Sequence, residues 1–413
     1  MASEFEGFLQ WIREHPEDDG PRLVAADWLD QRGDPRGEFI RVQLALARLP
    51  WNHPQRFALL QREDQLLALY GQRWWAPFRG IAAGPVFRRG FIEEINVTAR
   101  QFLDHGETLF RLAPIRHLQI LDIGKQLPLL LDNPLLNRLN GLTIFAQHLG
   151  EPLARALAQA RTLTALTRLE LGRNRLGDRG AERLASARFL EQLERLDLRE
   201  NQIAETGLRA LLESARFPRL QSLELAGNPL GPSGIERLGS AESLKSLEYL
   251  GLAGCRIGAT RLLQLTPPWG LLRFRQLNLS GNGLTAEGLA AILSTAVTVG
   301  VSDLDLGHNE LGDEGAWRLA NSTHLEQIRR LKLNACQIGD DGLCTLANSP
   351  FVRRLLELDL TNNPLGDRGL RAVLESPYLR SLQRCDYPTL GISIRTQLRL
   401  QARFQFREST LRG

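Results

Sequence analysis

The sequence predicts an α/β solenoid, with a parallel sheet on one side and helices on the other, preceded by a small all-α domain. Three observations predict it. A second half-repeat, which has a Gly-Asp helix start in four of the units, follows the predicted strands, and the first 76 residues lack the repeat and show helical spacing. The remaining observation is a constant spacing of 27 residues between the members of one series: Asn174, Asn201, Asn228, Cys255, Asn282, Asn309, Cys336 and Asn363.

The strand half of each repeat is an apolar frame before this residue, which we call the ladder residue. Leu166, Leu169 and Leu171 stand eight, five and three places before Asn174. Leu169 and Leu171 point to the same side of a strand, and one repeat cannot bury that face without its neighbours. We expect the ladder side chain to bond backbone groups that the following turn leaves unpaired, with Cys as a weak thiol donor. The pattern L-x-x-L-x-L-x-x-N/C is that of a leucine-rich repeat.

The helix half begins with a recurrent Gly-Asp pair, as in LGDRGAERLA (176–185) and LGDEGAWRLA (311–320). Asp178, Asp313, Asp340 and Asp367 are predicted to cap the N-termini of these helices. A glycine two places later is expected to permit close strand–helix approach or an unusual backbone angle. These glycines are Gly180, Gly315, Gly342 and Gly369.

With this period, ladder and helix start, residues 139–390 resemble the ribonuclease-inhibitor-like class of leucine-rich repeats. Related repeats occur in NOD-like receptors and in the Ran GTPase-activating protein. The resemblance implies a horseshoe with a concave parallel sheet and convex helices. It also implies a surface that binds a partner, because such solenoids present surfaces more often than they catalyse reactions.

The ends of the array are degenerate. Leu139, Leu142 and Ile144 precede Gln147 in register, and residues 92–97 and 115–120 fit shorter units, which either continue the solenoid or form a distinct capping sheet. Leu382, Cys385 and Tyr387 fit a ninth frame without Asn, and 392–404 fits a final helix over the open end. The predicted boundaries are a helical domain at 1–76, a junction with degenerate repeats at 77–138, regular repeats at 139–376, and a last repeat with its cap at 377–413.

The first 76 residues predict helices at 4–14, 20–31, 36–49 and 54–73. Residues 5–49 resemble a bacterial module named the repeat-companion domain, through P-x-D-D, A-D-W-L, G-D-P and E-F-I-R-x-Q. The resemblance implies an architecture and a bacterial origin, and no function. Asp27, between Ala26 and Trp28, is interpreted as a buried carboxylate paired with Arg22 or Arg41. An aromatic group is expected to seal the junction with the repeats: Trp74, Trp75, Phe78, Phe87 and Phe91.

Composition and residue spacing argue against membrane-spanning, secreted, metal-binding and nucleic-acid-binding proteins. No stretch of 18 apolar residues and no signal-peptide pattern occurs, which favours a cytoplasmic protein outside the membrane. The four cysteines form no C-x-x-C, the seven histidines do not cluster, and the N-terminal aspartates lack the spacing of a calcium loop, so neither a metal nor a cofactor is expected. A net charge of +4 without a basic run makes nucleic acid an unfavoured partner.

The residues expected to bind a partner protein lie on the concave face, six, four and two places before each ladder residue. Tyr249, flanked by Gly251 and Ala253, is the best single anchor candidate. The charges of this face have two readings: they either satisfy one another as cross-strand ion pairs or form a mixed-sign binding surface. The candidate residues are Arg168, Glu170, Arg195, Asp197, Arg199, Glu224, Tyr249, Asp303, Asp305, Arg330, Lys332 and Asp359.

The sequence therefore favours a non-catalytic protein–protein interaction scaffold, because no Walker A, H-E-x-x-H or G-x-S-x-G motif occurs. The alternative is a regulator of a small GTPase, by analogy of fold, in which Arg168, Arg195 or Arg199 would act in trans on phosphoryl transfer. An enzymatic N-terminal domain and a nucleic-acid binder are weaker alternatives.

Overall fold

The structure is a computed structural model that describes residues 2–50, 53–214, 217–258, 274–294 and 300–404. The chain divides into two compact units. The first unit comprises Met1–Gln147 with Gln159–Glu170, and the second comprises His148–Ala158 with Leu171–Gly413.

The first unit opens with four helices and continues into strands, in the order predicted. Its helices are α1 (Ala2–Glu14), α2 (Gly20–Asp30), α3 (Arg36–Arg48), α4 (Arg56–Trp75), α5 (Ala99–Leu112) and α6 (Leu127–Leu131). Its strands are β1 (Ala83–Arg88), β2 (Phe91–Val97), β3 (His117–Ile120), β4 (Gly141–Ile144) and β5 (Arg168–Glu170).

Aromatic side chains join α1–α4 to β1 and β2 within the first unit. Phe91 is fully buried in the cluster that contains Ile12 of α1 and Ile40 of α3. The ring of Phe39 lies 4.8 Å from that of Trp74 and 5.4 Å from that of Phe87, between ring centroids. The aromatic group of the sequence therefore belongs to the core that these helices share with the first two strands.

The degenerate segments continue the repeat frame. β1 pairs antiparallel with β2, whereas β2 to β5 are parallel. Ile95, Leu118, Leu142 and Leu169 stand side by side across these four strands, and each is at most 1% exposed. The apolar frame thus keeps its register through 90–147, although the spacing of the strands in the sequence is shorter than 27 at first.

The second unit is built from parallel strands in chain order and from helices between them. Its strands are β6 (Arg195–Asp197), β7 (Ser222–Glu224), β8 (Tyr249–Gly251), β9 (Gln276–Asn278), β10 (Asp303–Asp305), β11 (Arg330–Lys332), β12 (Glu357–Asp359) and β13 (Arg384–Asp386). Its helices are α7 (Gly150–Gln159), α8 (Gly177–Leu184), α9 (Glu205–Ser214), α10 (Gly231–Ser240), α11 (Ala286–Leu293), α12 (Gly312–Ala320), α13 (Asp340–Ala347), α14 (Asp367–Glu375) and α15 (Ile394–Arg403). The α/β solenoid with a preceding helical region is confirmed.

Each ladder residue bonds its own repeat to the one before it. The Asn309 carbonyl accepts hydrogen bonds from the amides of Asn282 and Leu284, both at 3.0 Å. Its amide nitrogen donates to the carbonyls of Leu279 at 3.1 Å and Leu306 at 2.8 Å. Asn309 is 1% exposed, so these four backbone groups have no access to water as a substitute.

Cysteine and glutamine at the ladder position make fewer of these hydrogen bonds than asparagine does. The Cys336 thiol donates to the Leu306 carbonyl at 3.1 Å, and burial raises its pKa to about 11, which keeps the donor proton in place. Gln147 accepts from the amide of Ile123 at 3.0 Å and donates to the carbonyl of Ile120. A ladder residue therefore also closes the degenerate repeat before the regular ones.

The prediction that the four aspartates cap their own helices is wrong. α8 and α12 begin before Asp178 and Asp313, and the N-cap residues of α13 and α14 are Gly339 and Gly366. The carboxylates accept from the unpaired amides at the start of the following repeat instead. The bonds run from Ala204 to Asp178 (2.7 Å), Gly339 to Asp313 (2.7 Å), Gly366 to Asp340 (2.8 Å) and Ser393 to Asp367 (3.0 Å).

The glycine two places after the aspartate packs against the helix of the preceding repeat at Gly342 and Gly369. At Gly180 and Gly315 the nearest atom to an added Cβ is the Cβ of Leu176 or Leu311 in the same repeat. A Cβ on Gly342 would lie 2.5 Å from Asp313 Oδ1 and 2.8 Å from Asp313 Cα, in the preceding repeat. A Cβ on Gly369 would lie 2.6 Å from Asp340 Oδ1. Neither glycine has a positive φ, so the expectation of an unusual backbone angle is wrong at these positions.

Candidate functional site

The strand face of the second unit consists of the side chains that alternate with the buried leucines of β6 to β13. The central residue of each strand is buried, as Leu223, Leu304 and Leu358 are, and the residues on either side of it are partly exposed in β7, β10 and β12. Row six, row four and row two are the positions six, four and two places before the ladder residue. This face contains the candidate residues from Arg195 onward.

Row four caps the ends of the strands. Its side-chain oxygens accept a hydrogen bond from the backbone amide two residues later, because that amide lies between two others that bond the next strand. The acceptors are Asp197 (2.9 Å), Glu224 (2.9 Å), Asn278 (3.0 Å), Asp305 (3.1 Å) and Asp359 (3.0 Å). The acidic row of the sequence therefore has a local structural task in addition to any contact with a partner.

Several charges of the face pair with one another. Arg330 donates to both oxygens of Asp303, at 2.6 and 2.7 Å, across β10 and β11. This hydrogen bonding raises the pKa of Arg330. Lys332 lies 3.2 Å from Asp305 across the same strands. The first reading of the charged rows, cross-strand ion pairs, thus holds for β10 and β11.

Arg199, two residues after the end of β6, pairs with Asp197, and its Nε donates to Asp197 Oδ2 at 2.7 Å. Arg195, on β6 itself, is exposed. It has no hydrogen bond or ion pair with any residue in the described part of the chain. Arg195 is therefore a cation that the surrounding strands present without neutralising it.

Tyr249 is held on β8 by a charged neighbour. Its hydroxyl donates to Glu224 Oε2 at 2.5 Å. Burial, together with this carboxylate, raises the pKa of Tyr249, so the phenol stays protonated. The Glu224 carboxylate lies above Gly251, where a Cβ would come within 2.3 Å of its oxygens. Gly251 therefore makes room for the contact that fixes the tyrosine ring.

Arg168 and Glu170, the remaining candidates, lie on β5 of the first unit. Arg168 Nε donates to Glu170 Oε1 at 2.7 Å, and the Thr143 hydroxyl donates to Glu170 Oε2 at 2.9 Å. His117 Nε2 lies 2.8 Å from that hydroxyl oxygen. Burial raises the pKa of Glu170, but Arg168 and Thr143 outweigh it and hold the pKa below its usual range.

This network fixes proton positions rather than activating a nucleophile. Because the Thr143 proton goes to Glu170, His117 Nε2 must be the donor to Thr143, and it cannot act as a base toward that hydroxyl. His117 and Thr143 are 7% and 6% exposed. Burial, and next the charge of Arg168, lower the pKa of His117. The arrangement joins three strands through buried polar groups.

Sequence reasoning missed two features of the first unit. His117 and Thr143 occupy rows six and four of the degenerate repeats, and extending the row rule upstream of Arg168 finds them. The second feature is the buried pair of Arg22 and Glu93, at 2.6 Å, for which no local pattern exists because the partners are distant in the chain. The interpretation of Asp27 as buried is wrong: its side chain is 68% exposed and pairs with Arg41 on the surface.

Searches for other kinds of site give negative results for the residues that the structure describes. These residues contain no group of three or more His, Cys, Asp or Glu side chains placed to hold a metal ion. Within the same ranges, no helix combines the length and apolarity that crossing a membrane requires.

Comparison with known proteins identifies the repeats. The family model described as Leucine Rich repeat matches residues 162–185, 192–212, 219–239, 274–293, 301–320 and 354–374. These six segments are leucine-rich repeats. The repeats of Cys255 and Cys336 fall outside the matched segments, yet β8 and β11 pair in the same register as their neighbours. Proteins built from leucine-rich repeats generally mediate protein–protein interaction.

A solved structure and a search of curated proteins complete the comparison. The crystal structure of an internalin from Listeria monocytogenes str. 4b F2365 is similar at a TM-score of 0.45 and 21% identity, over 66% of this chain and 67% of that one. No curated protein matches the chain significantly.

Proposed function

We propose that this protein is a non-catalytic scaffold that binds a partner protein on the strand face of the second unit. The observation that carries the proposal is the row-six series on β6 to β9. Arg195, Ser222, Tyr249 and Gln276 stand side by side on four adjacent strands. Adjacent strands are about 4.8 Å apart, so the series presents an unpaired cation and an aromatic ring about 10 Å from each other.

The surroundings of this series suit a docking centre. Ala226, Gly251 and Ala253, near Tyr249, are small. Tyr249 itself is partly exposed. Arginine and tyrosine frequently dominate the energy of protein interfaces, particularly where a rigid scaffold holds them. Tyr249 is fixed in advance by its bond to Glu224, so binding costs little side-chain entropy.

The paired charges on β10 to β12 form the rim in this proposal. Asp303, Arg330, Asp305 and Lys332 already have partners, so a binding protein would gain little energy from them. Their alternating signs would instead set orientation and exclude wrong partners. Asp359 and the pair of Asp197 and Arg199 complete the rim.

The GTPase-regulator alternative draws less support from these contacts. Arg168 and Arg199 are bound to neighbouring carboxylates, so Arg195 alone retains the freedom that a trans-acting arginine needs. Unchanged GTP turnover by a cognate GTPase in the presence of this protein would eliminate it. The modest net charge of +4 supports a protein partner over nucleic acid.

Three finer assignments accompany the proposal. The 27-residue period and the Asn/Cys ladder support the ribonuclease-inhibitor-like subclass, and the motifs in residues 5–49 support a repeat-companion domain. The cysteines at positions 255, 336, 344 and 385 are free thiols, which supports a reducing compartment such as the cytoplasm. We retain the boundaries 1–76, 77–138, 139–376 and 377–413.

The test is capture of a partner from native lysate on immobilised protein, followed by affinity measurement with the purified partner. Arg195→Glu combined with Tyr249→Ala should weaken binding by at least about tenfold, because both anchors are lost. The matched control is Arg209→Glu with Tyr378→Ala, the same changes at exposed positions off the strand face.

Circular dichroism of both double variants verifies folding. A partner that both variants bind as tightly as wild type does would move the site away from row six and contradict the proposal. A partner lost only by the control would place the site on the helix side.

A further inference from the structure

The C-terminal end of the second unit exposes aliphatic side chains. Leu390 is 89% exposed, Ile394 is 76% exposed and Leu398 is 59% exposed. They are four residues apart, and Ile394 and Leu398 therefore lie on one side of α15. Exposed aliphatic side chains that share one side of a helix are candidates for a contact with another surface.

The repeat register shows which way this surface faces. α13, α14 and α15 begin at Asp340, Asp367 and Ile394, which are 27 residues apart. The carboxylates of Asp340 and Asp367 point at the following repeat, because each accepts from an amide there. Ile394 holds the same position in the last helix, so it faces the place where another repeat would stack. It offers an apolar side chain where another repeat would need an acceptor.

The edge strand β13 presents backbone groups at the same end that no described strand pairs with. The carbonyl of Leu356 on the penultimate repeat accepts from the amides of Gln383 and Arg384, at 2.8 and 3.0 Å. No strand beyond β13 is present among the described residues to supply the matching amides to Gln383. An exposed edge of this kind is a template for pairing with another strand.

We propose that this end binds a second copy of the chain, tail to tail, about a two-fold axis that passes between the two β13 strands. The charge pattern of β13 selects that occupant. Arg384 and Asp386 flank Cys385, which points inward and is 5% exposed. They pair with each other along the strand at 2.9 Å, and a second copy would let them exchange this partner across the two strands. Antiparallel pairing centred on Cys385 places Arg384 of each copy opposite Asp386 of the other. Two-fold symmetry requires such a self-complementary surface.

The aliphatic side chains of α15 extend the contact beside the paired strands. Burying Leu390, Ile394 and Leu398 against their counterparts removes apolar area from water in both copies. The strand contact supplies register, and the helix contact supplies most of the association energy. The dimer does not depend on the strand face of β6 to β9, so it stands independently of the proposed partner site.

The first test is the mass of the full-length protein in solution, by sedimentation equilibrium at concentrations up to about 100 μM. Wild type should show twice the chain mass. Ile394→Glu combined with Leu398→Glu should raise the dissociation constant more than about tenfold, because four carboxylates would enter the apolar contact. Leu69→Glu, at a 69% exposed leucine of α4, should leave the mass unchanged.

The second test is charge complementation, which probes the register itself. Arg384→Asp places acid opposite acid, and Asp386→Arg places base opposite base, so each variant alone should dimerise more weakly than wild type. An equimolar mixture should form a heterodimer, because each acidic pair of one variant then faces a basic pair of the other. The recovery also shows that neither variant failed to fold.

A wild type that stays monomeric overturns the proposal. So does a dimer that survives both glutamates, or a mixture that remains monomeric while wild type dimerises. If wild type is monomeric and deletion of residues 405–413 makes α15 newly accessible to hydrogen exchange, the occupant is the tail of the same chain and the proposal is wrong.

Discussion

The residue before the ladder position has a left-handed backbone in all eight repeats from Asn174 to Asn363. Arg173, Glu200, His308, Ala335 and Asn362 have φ between 52° and 60°. Glycine fills the same slot at 227, 254 and 281, also with positive φ. The turn after the strand imposes this conformation. The amide of the residue in this slot and the amide two places before it both bond carbonyls of the next repeat, as those of Ala335 and Leu333 do. A residue with a Cβ is therefore strained there, and glycine is not.

Ala335→Gly should relieve this strain. Left-handed backbone costs an alanine roughly 1–2 kcal/mol, and glycine adds about 0.5–1 kcal/mol of backbone entropy to the unfolded chain. The free energy of unfolding should thus rise by about 0.5 kcal/mol, measured by urea denaturation. Ala226→Gly, two places before Asn228 and without a positive φ, is the control and should be neutral or destabilising. Equal destabilisation by both changes would refute the strain argument.

The ladder predicts unequal penalties at its two residue types. Asn309→Ala leaves the buried amides of Asn282 and Leu284 without an acceptor, and should cost about 3 kcal/mol or more. The carbonyls of Leu279 and Leu306 lose one donor each but keep Asn282 and Cys336. Cys336→Ala removes a weaker thiol contact and should cost less than half as much. Urea unfolding of the two single variants measures the difference. Equal losses would mean that the thiol supports the turn as well as the amide does.

At the scale of the element, the sequence located the helix starts but led to the wrong role for the aspartates there. Asp178, Asp313, Asp340 and Asp367 have the residue type and place of N-caps, so a local rule assigns them to their own helices. Their partners lie 26 residues later, which only the stacking of repeats reveals. Gly342 and Gly369 have the same explanation, because the nearest atoms that a Cβ would meet belong to the preceding repeat. Periodicity locates these residues, and contacts between repeats explain them.

Asp340 and Gly369 should therefore be energetically coupled. Asp340→Ala removes the acceptor of the Gly366 and Gly369 amides and should cost about 1–3 kcal/mol. Gly369→Ala introduces a Cβ 2.6 Å from Asp340 Oδ1, and overpacking of this kind costs about 1–3 kcal/mol. In the double variant the clashing oxygen is absent, so the combined loss should be smaller than the sum by about 1 kcal/mol.

A double-mutant cycle in urea measures this coupling. The control cycle pairs Asp340→Ala with Gly342→Ala, whose Cβ meets Asp313 rather than Asp340. If the losses in free energy of unfolding for Asp340→Ala and Gly369→Ala are additive, the two residues are not coupled, and the close helix–helix contact is contradicted.

At the scale of the whole molecule, period and apolar frame were sufficient to predict the solenoid, its strands and its ladder. The rows of the strand face followed from strand alternation. The sequence could not decide which charges pair, since Arg195 and Arg330 occupy the same row and only the neighbouring strand distinguishes them. The contact between Arg22 and Glu93 was also out of reach, because it joins a helix to a strand 71 residues away.

The buried histidine of the first unit gives the chain a pH dependence of known sign. Burial, and next Arg168, lower the pKa of His117 in the folded state, so the unfolded chain binds its proton first. The stability that the neutral, buried His117 contributes is then fully present above the unfolded pKa of about 6.5, and it is lost as pH falls below that value. The loss for one proton is limited to about 1.4 kcal/mol per pH unit. The stability that Glu170 contributes through its lowered pKa is present at neutral pH and is lost only as pH falls below its unfolded pKa of about 4.3.

Urea unfolding at pH 7.5, 6.5 and 5.5 tests this dependence through tryptophan fluorescence. Five of the seven tryptophans belong to the first unit, so the signal reports mainly on its unfolding. His117→Gln keeps a side-chain donor for Thr143 but carries no titrating group, and it should flatten the profile between pH 6.5 and 5.5. His324→Gln, in the second unit, should leave the profile unchanged. A profile that stays steep in His117→Gln would assign the proton uptake to another group, and the Thr143 bond would then fix the histidine without making it the source of the pH dependence.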